Sequence, residues 1–483
     1  MPKPRASRLL LLLLVLLVAG AAAAWPNRWA AFARWIAPLL DKPFYVARDC
    51  TTAPPEGIGI ACGALYVPRA RTGGDRGAVV LPVVRYGAGT DPAPVLLLQG
   101  AHGRRQIAAE KIKPDRFAWR GDHDLIQIDP RGTGWAWPAL RCPALRESLL
   151  GRPANGEHAL GTVSHHELAE RIESCRAALR RDGIDPADFN LAEAAADLAD
   201  LRRALGLAGW HVVARGAATR LALALMREDG EALRGVVLEA VHPPHVDHTT
   251  AAARARFASI PGCINGLGEN WLTMSEKTWR RLRDTPERVE WTDIFLFKRT
   301  FAVTLGADLF AELARTALTR MDDKTYVCEI LVKAAAGNYR ELLAPFLLWY
   351  RDSSDLSFGA MLSQACGEDL TTETGAAPGS LLEALAWPRL RRHCALWPRR
   401  PADPSRLAPV RSRVPVLLLA DSFDAGAPAI WAEHQAALLP RAHLIVLAAG
   451  QRGRAAKTRC MPEIVAAFLE NPARRPAPAC LNP

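Results

Sequence analysis

The ten cysteines contain no C-x-x-C pair, so neither a structural zinc site nor a dithiol redox centre is legible in the chain. A long basic tract is also missing. The formal charge is +11 over 483 residues, yet the arginines are scattered, with only short clusters such as "RLRRHC" and "WPRRP". That pattern argues against an extended basic groove, and no nucleic-acid partner is expected. No internal repeat occurs, and no cofactor is expected. Hydrophobic content of 49% and charged content of 23% are ordinary for a globular protein with a sizeable core.

The amino terminus is distinctive. Lys3, Arg5 and Arg8 precede an apolar run from Leu9 to Ala24, and Ala22 and Ala24 offer a small-residue cleavage site. Residues 1–24 therefore read as a secretory signal or, the run being just below spanning length, as a retained membrane anchor. Residues 25–49 form an amphipathic leader segment, with Trp29, Phe32, Trp35, Ile36 and Leu39 at helical spacing. It either packs on the protein or lies on a membrane surface. Both readings take the chain out of the cytoplasm, into a periplasmic or extracellular setting. There the even cysteine count predicts five disulfides. Local pairing, the simplest connectivity, joins Cys50–Cys62, Cys142–Cys175, Cys263–Cys328, Cys366–Cys394 and Cys460–Cys480.

From residue 60 to about 242, apolar runs alternate with helical patterns. "GALYVP", "AVVLPVVRY", "PVLLLQG" and "HDLIQIDP" read as strands bounded by Gly, Pro or Asp. "LAEAAADLADLRRALGL" places Leu191, Ala195, Leu198, Leu201 and Leu205 on one helix face. "WHVVA" and "GVVLEAV" are continuous apolar runs, as parallel strands buried on both faces require. This order predicts a doubly wound α/β fold with a mostly parallel sheet. Between about 250 and 400 only helical patterns are evident, without intervening strands. The expected domains are a core in two parts, 50–249 and 408–483, around an inserted helical cap, 250–407.

One stretch carries the functional question. "GWHVVARGAATRLALALMREDG" has the shape of strand, sharp turn and helix that carries G-x-S-x-G in α/β hydrolases, with serine at the tip. Here the five residues are Ala214, Arg215, Gly216, Ala217 and Ala218. Together with "VLLLQGAHGRR", "LIQIDPRGTGWAWPALRC", "LSFGAMLSQACGED", "RVPVLLLADSFDAGAPA" and "LIVLAAGQRGRAAKTRC", in that order, the chain resembles the secreted tripeptidyl aminopeptidases and proline iminopeptidase-like enzymes. The resemblance covers nearly the whole mature chain. It implies an α/β-hydrolase fold and a peptidase-like cleft. It also implies a nucleophile position at Gly216, the acidic triad member at Asp424 and the histidine position at Gln451 or Arg452. Ala101, His102 and Ala217 would line the oxyanion hole. Two of the three triad positions thus hold residues unable to perform their step: glycine has no side chain, and neither an amide nor a guanidinium serves as general base.

Other side chains do not rebuild the triad. "HPPHVDH" brings His242, His245, Asp247 and His248 together in sequence, a weak metal candidate. An extended path through the two prolines would separate the outer histidines by roughly 18 Å, too far for one ion, and solvated loop histidines are the plainer reading. Thr219 lies in the helix pointing away from substrate, and His211 is read as a satisfied core residue in a buried strand. Asp424 either pairs with Arg452 or caps the helix starting near Pro428. The expectation is a catalytically inactive relative that binds a peptide or small apolar ligand between sheet and cap. The alternative is a serine-independent or metal-assisted hydrolase with another nucleophile. Membrane association would come only from the amino-terminal segment.

Overall fold

Apolar runs become central strands where both of their faces can be covered. In the computed structural model, described residues are 42–50, 58–71, 77–87, 93–100, 103–107, 119–150, 152–154, 157–161, 165–245, 271–293, 299–320, 324–344, 356–368, 379–386, 391–400, 404–422, 424, 426–447 and 454–477. Within them, the main sheet begins with β1 (Phe44–Arg48), β2 (Ile60–Pro68) and β3 (Ala78–Tyr86), all antiparallel neighbours. It continues with β4 (Val95–Leu98), β5 (Leu125–Ile128), β8 (Trp210–Arg215), β9 (Leu233–Glu239), β12 (Val416–Asp421) and β13 (Ala442–Leu447). The spatial order is β1-β2-β3-β5-β4-β8-β9-β12-β13. β3 meets β5 antiparallel, and every pairing beyond β5 is parallel.

Parallel neighbours need crossovers, and helices supply them. The helix Leu191–Ala204 precedes β8, Thr219–Glu228 joins β8 to β9, and Ala429–Ala436 joins β12 to β13. Successive strand residues point to opposite faces. Leu96, Leu98, Val212 and Val236 pack with Leu198, Leu201 and Leu223 on one side of the sheet. On the other, Val95, Leu97, Val213 and Val237 pack with Ile464, Val465 and Phe468 of the helix Arg454–Glu470. The expected strands and the expected helix face are present, and the architecture is doubly wound.

The cap differs from expectation. Helices Trp271–Asp284, Ala307–Arg320 and Lys324–Ala335 do build a second core around Phe310, Leu313 and Leu331. However, β10 (Glu287–Asp293) and β11 (Arg299–Leu305) lie between them. They form a second sheet, β10-β11-β7-β6, with β6 (Arg152–Ala154) and β7 (Glu157–Gly161). The expectation that no strands intervene between about 250 and 400 is therefore corrected, and residues 152–154 and 157–161 contribute to this sheet although sequence assigns them to the core. The missed signal is alternation. Charged residues interrupt "ERVEWTD", while Val303 and Leu305 of β11 are buried, the pattern of strands covered on one face only.

Disulfides Cys50–Cys62, Cys142–Cys175 and Cys366–Cys394 form as local pairing predicts. Cys328 and Cys460 are also disulfide-bonded, and their expected partners Cys263 and Cys480 lie outside the described residues. No helix among the described residues is long and apolar enough to cross a membrane. The leader, residues 1–24, and most of the 25–49 segment lie outside them.

Candidate functional site

β8 buries five of its six residues and delivers the chain to a sharp turn at its carboxyl end. A single 3-10 turn, Gly216–Ala218, leads directly into the helix Thr219–Glu228. Gly216 at the tip has φ of +60°, the left-handed region that an L side chain occupies only under strain. A Cβ at this tip would have open space around it, with nothing within 4 Å. Ala217, half-buried, follows immediately in the turn, where the resemblance implies an oxyanion-hole amide. The tip thus combines a left-handed backbone, open space around it and no side chain.

Thr219 holds this turn in place. It is fully buried, and its Oγ1 donates to the Gly216 carbonyl at 2.7 Å while accepting from the His242 amide at 2.9 Å. One hydroxyl thus ties the tip to the loop after β9. Beside the tip, Arg215 and Glu239 end adjacent strands in register and form an ion pair, Nε to Oε2, at 2.8 Å.

Asp424 is half-buried, and its Oδ1 accepts from the Gly426 and Ala427 amides at 2.7 and 3.1 Å. It shapes the turn before the helix Ala429–Ala436, whose N-cap is Pro428, and does not cap the helix itself. Gln451, Arg452, Ala101, His102 and His248 lie outside the described residues, so the expected Asp424–Arg452 pair falls there too.

The histidines after β9 are less solvated than expected. His242 is half-buried with its ring edge-on to Trp431, centroids 5.4 Å apart. Burial, helped by His434 and Arg227, lowers the pKa of half-buried His245. Among the described residues no group of three His, Cys, Asp or Glu is placed to hold a metal ion. His211 is buried as expected, but it is not satisfied: its Nδ1 has no hydrogen-bond partner. The ring stands edge-on to His123, centroids 5.2 Å apart, and burial lowers the His211 pKa to about 4, with His123 and Arg234 adding to the effect.

Behind the elbow lies a network that sequence reasoning did not identify. Arg131, of "DPRGTG", is fully buried and binds Asp197 in a fork, Nε to Oδ2 at 2.7 Å and Nη2 to Oδ1 at 2.6 Å. Its Nη1 donates to the carbonyls of Arg69 and Asp188 at 2.6 and 2.8 Å. Arg71 reaches Glu193, Asp197 and Asp200 at 2.6, 2.9 and 2.5 Å. Burial opposes the Arg71 charge, and Asp197 and Asp200 more than offset it, raising the pKa. Glu193, Asp197 and Asp200 stand at i, i+4 and i+7, a carboxylate stripe visible in the sequence of this helix. In the same loop Asp129 accepts from the Gln106, Ile107 and Trp135 amides at 2.7, 3.0 and 2.9 Å. Gly134, with φ of +50°, makes room for it, since a Cβ there would lie 2.3 Å from the carboxylate.

Residues 384–479 match the family described as TAP-like protein. Comparison with curated proteins gave no match. An esterase from Thermogutta terrifontis, solved with malate bound, is 15% identical and has a TM-score of 0.37 over 84% of this chain and 98% of its own. An α/β-hydrolase-fold protein from Chitinophaga pinensis is 12% identical, with a TM-score of 0.38 over 88% and 100%. The parallel sheet, its helical layers and the strand–elbow–helix at its carboxyl edge define an α/β-hydrolase-fold protein. Within that class the chain resembles the TAP-like peptidases, and its matching segment includes Asp424 and the helix Arg454–Glu470.

Proposed function

We propose that this chain is an exported, non-catalytic α/β-hydrolase-fold protein that binds a peptide or small apolar ligand in the cleft between sheet and cap. Gly216 carries the reading. The tip of the elbow has the conformation and space of a nucleophile position and no atom that can attack a carbonyl. Glycine at φ of +60° also relieves the strain that a serine would store there. Export is supported by the amino-terminal pattern and by the disulfides, which persist in oxidising compartments.

The test uses protein recovered from its native compartment. Non-reducing mass analysis should find no free thiols. Incubation with a fluorophosphonate probe should give no adduct, and aminopeptidase and esterase substrates should not turn over, with or without zinc. Ten free thiols would remove the export reading. Turnover that survives chelation would remove the non-catalytic one and point to another nucleophile.

A further inference from the structure

The residues just before the tip carry chemistry that the tip itself lacks. β8 ends in Arg215 and β9 in Glu239, and each strand then turns through a left-handed residue, Gly216 at φ of +60° and Ala240 at φ of +53°. Glycine adopts that conformation freely, whereas alanine holds it against backbone strain. Such strain persists where the surroundings over-determine the backbone. Here the Ala240 amide donates to the Leu419 carbonyl at 3.0 Å, and the Thr219 hydroxyl links the Gly216 carbonyl to the His242 amide. The two strand ends are locked side by side, and the Arg215–Glu239 pair is locked with them.

That pair leaves polar atoms unused. Its contact runs from Nε to Oε2 at 2.8 Å. Among the described residues, no hydrogen bond involves Arg215 Nη1 or Nη2 or Glu239 Oε1. The Arg215 side chain is 37% exposed and that of Glu239 18%, so both are within reach of a ligand beside the tip. The Nη1–Nη2 edge of a guanidinium is a fork of parallel donors that matches a carboxylate. Beside it, Oε1 is an acceptor for an ammonium group. The pair as a whole is neutral, so a ligand with one charge is repelled by one member while the other attracts it. A ligand with both charges on neighbouring atoms escapes that penalty.

We propose that Arg215 and Glu239 clamp the head of a free α-amino acid, its carboxylate on the Nη1–Nη2 fork and its ammonium on Glu239 Oε1, with an apolar side chain in the cleft. An α-amino acid carries both groups on one carbon, so a single ion pair serves both. The termini of an extended tripeptide stand roughly 7 Å apart or more and do not fit this arrangement. The inference rests on the binding reading of the cleft and narrows its ligand to a zwitterion.

Calorimetric titration of the full chain with leucine, N-acetylleucine, leucine amide and N-acetylleucine amide tests it. Leucine should bind saturably at one site. The other three should bind about tenfold more weakly or worse, since each lacks at least one charge-assisted contact. Arg215→Gln and Glu239→Gln should each weaken leucine binding about tenfold and shift the preference in opposite senses. Arg215→Gln should favour leucine amide over N-acetylleucine, and Glu239→Gln the reverse. A purely structural pair gives no such reversal, whatever the substitutions do to the denaturation midpoint. Failure of leucine to bind, N-acetylleucine amide binding as tightly as leucine, or the same preference in both variants would each overturn the proposal. Tight binding of the capped amide overturns the clamp and leaves the cleft reading standing, whereas turnover of leucine amide counts against the non-catalytic reading alone.

Discussion

At the scale of the residue, Gly216 separates what an elbow needs from what catalysis needs. The turn requires a positive φ, which glycine adopts freely, and the surroundings leave room for a side chain. Gly216→Ser should therefore fold, at a cost of about 1 kcal/mol from backbone strain alone, read as a small fall in the denaturation midpoint. On the proposed non-catalytic reading it should gain no turnover. Loss of serine or histidine alone costs a serine hydrolase about as much as loss of the whole triad, on the order of 10⁶-fold in turnover, so restoring one member recovers little. Adding histidine at 451 or at 452 tests which position is in register with Asp424. Rapid turnover by Gly216→Ser alone would show that a base is already present. The sharp strand-to-helix turn with glycine at its tip was legible from five letters, because the turn is local and a glycine has no side chain in any tertiary context.

At the scale of the element, the helix Leu191–Ala204 does two jobs. Its apolar face packs on the sheet, while Glu193, Asp197 and Asp200 gather the arginines of two distant strand ends. Asp197 is the centre of this arrangement, since it alone forks the fully buried Arg131 and also reaches Arg71. Asp197→Ala should cost roughly 3–5 kcal/mol by taking the forked carboxylate from a buried guanidinium that keeps Glu193 only at 3.6 Å. Asp200→Ala should cost clearly less, because Arg71 keeps two other carboxylates. Equal losses from the two variants in urea titrations would show that the fork to Arg131 contributes nothing special. The stripe was visible in sequence as i, i+4, i+7. Its partners were not, because Arg71 and Arg131 approach only when the strands that carry them enter the sheet.

At the scale of the whole molecule, acid should weaken the fold through a histidine pair that joins two segments. His123 precedes β5 and accepts a place beside His211 in β8, its Nδ1 bonded to the Ala93 carbonyl at 2.7 Å. The His211 pKa is lowered to about 4, so the folded chain holds it neutral where the unfolded chain takes a proton at its ordinary pKa of about 6.5. Above that pH both states are neutral, and this group adds no pH dependence. As pH falls from about 6.5 towards 4, stability should drop by up to about 1.4 kcal/mol per pH unit from His211, and below 4 its effect levels off. His211→Leu should flatten that part of the profile. An unchanged acid limb in the variant, measured by thermal or urea unfolding, would mean that His211 does not titrate in this window.

The sequence by itself determined the parallel sheet, the turn with Gly216 at its carboxyl edge and the local disulfide pairs Cys50–Cys62, Cys142–Cys175 and Cys366–Cys394. Each rests on residues close in the chain: continuous apolar runs, a strand-to-helix turn, neighbouring cysteines and one glycine. Only the tertiary structure decided that β11 pairs with β7 across more than a hundred residues, that Arg131 is buried against Asp197, and that His211 meets His123. It also set Arg215 beside Glu239 at the ends of adjacent strands. Pairing and ionic partnership depend on which distant surfaces meet, and local periodicity carries no record of that.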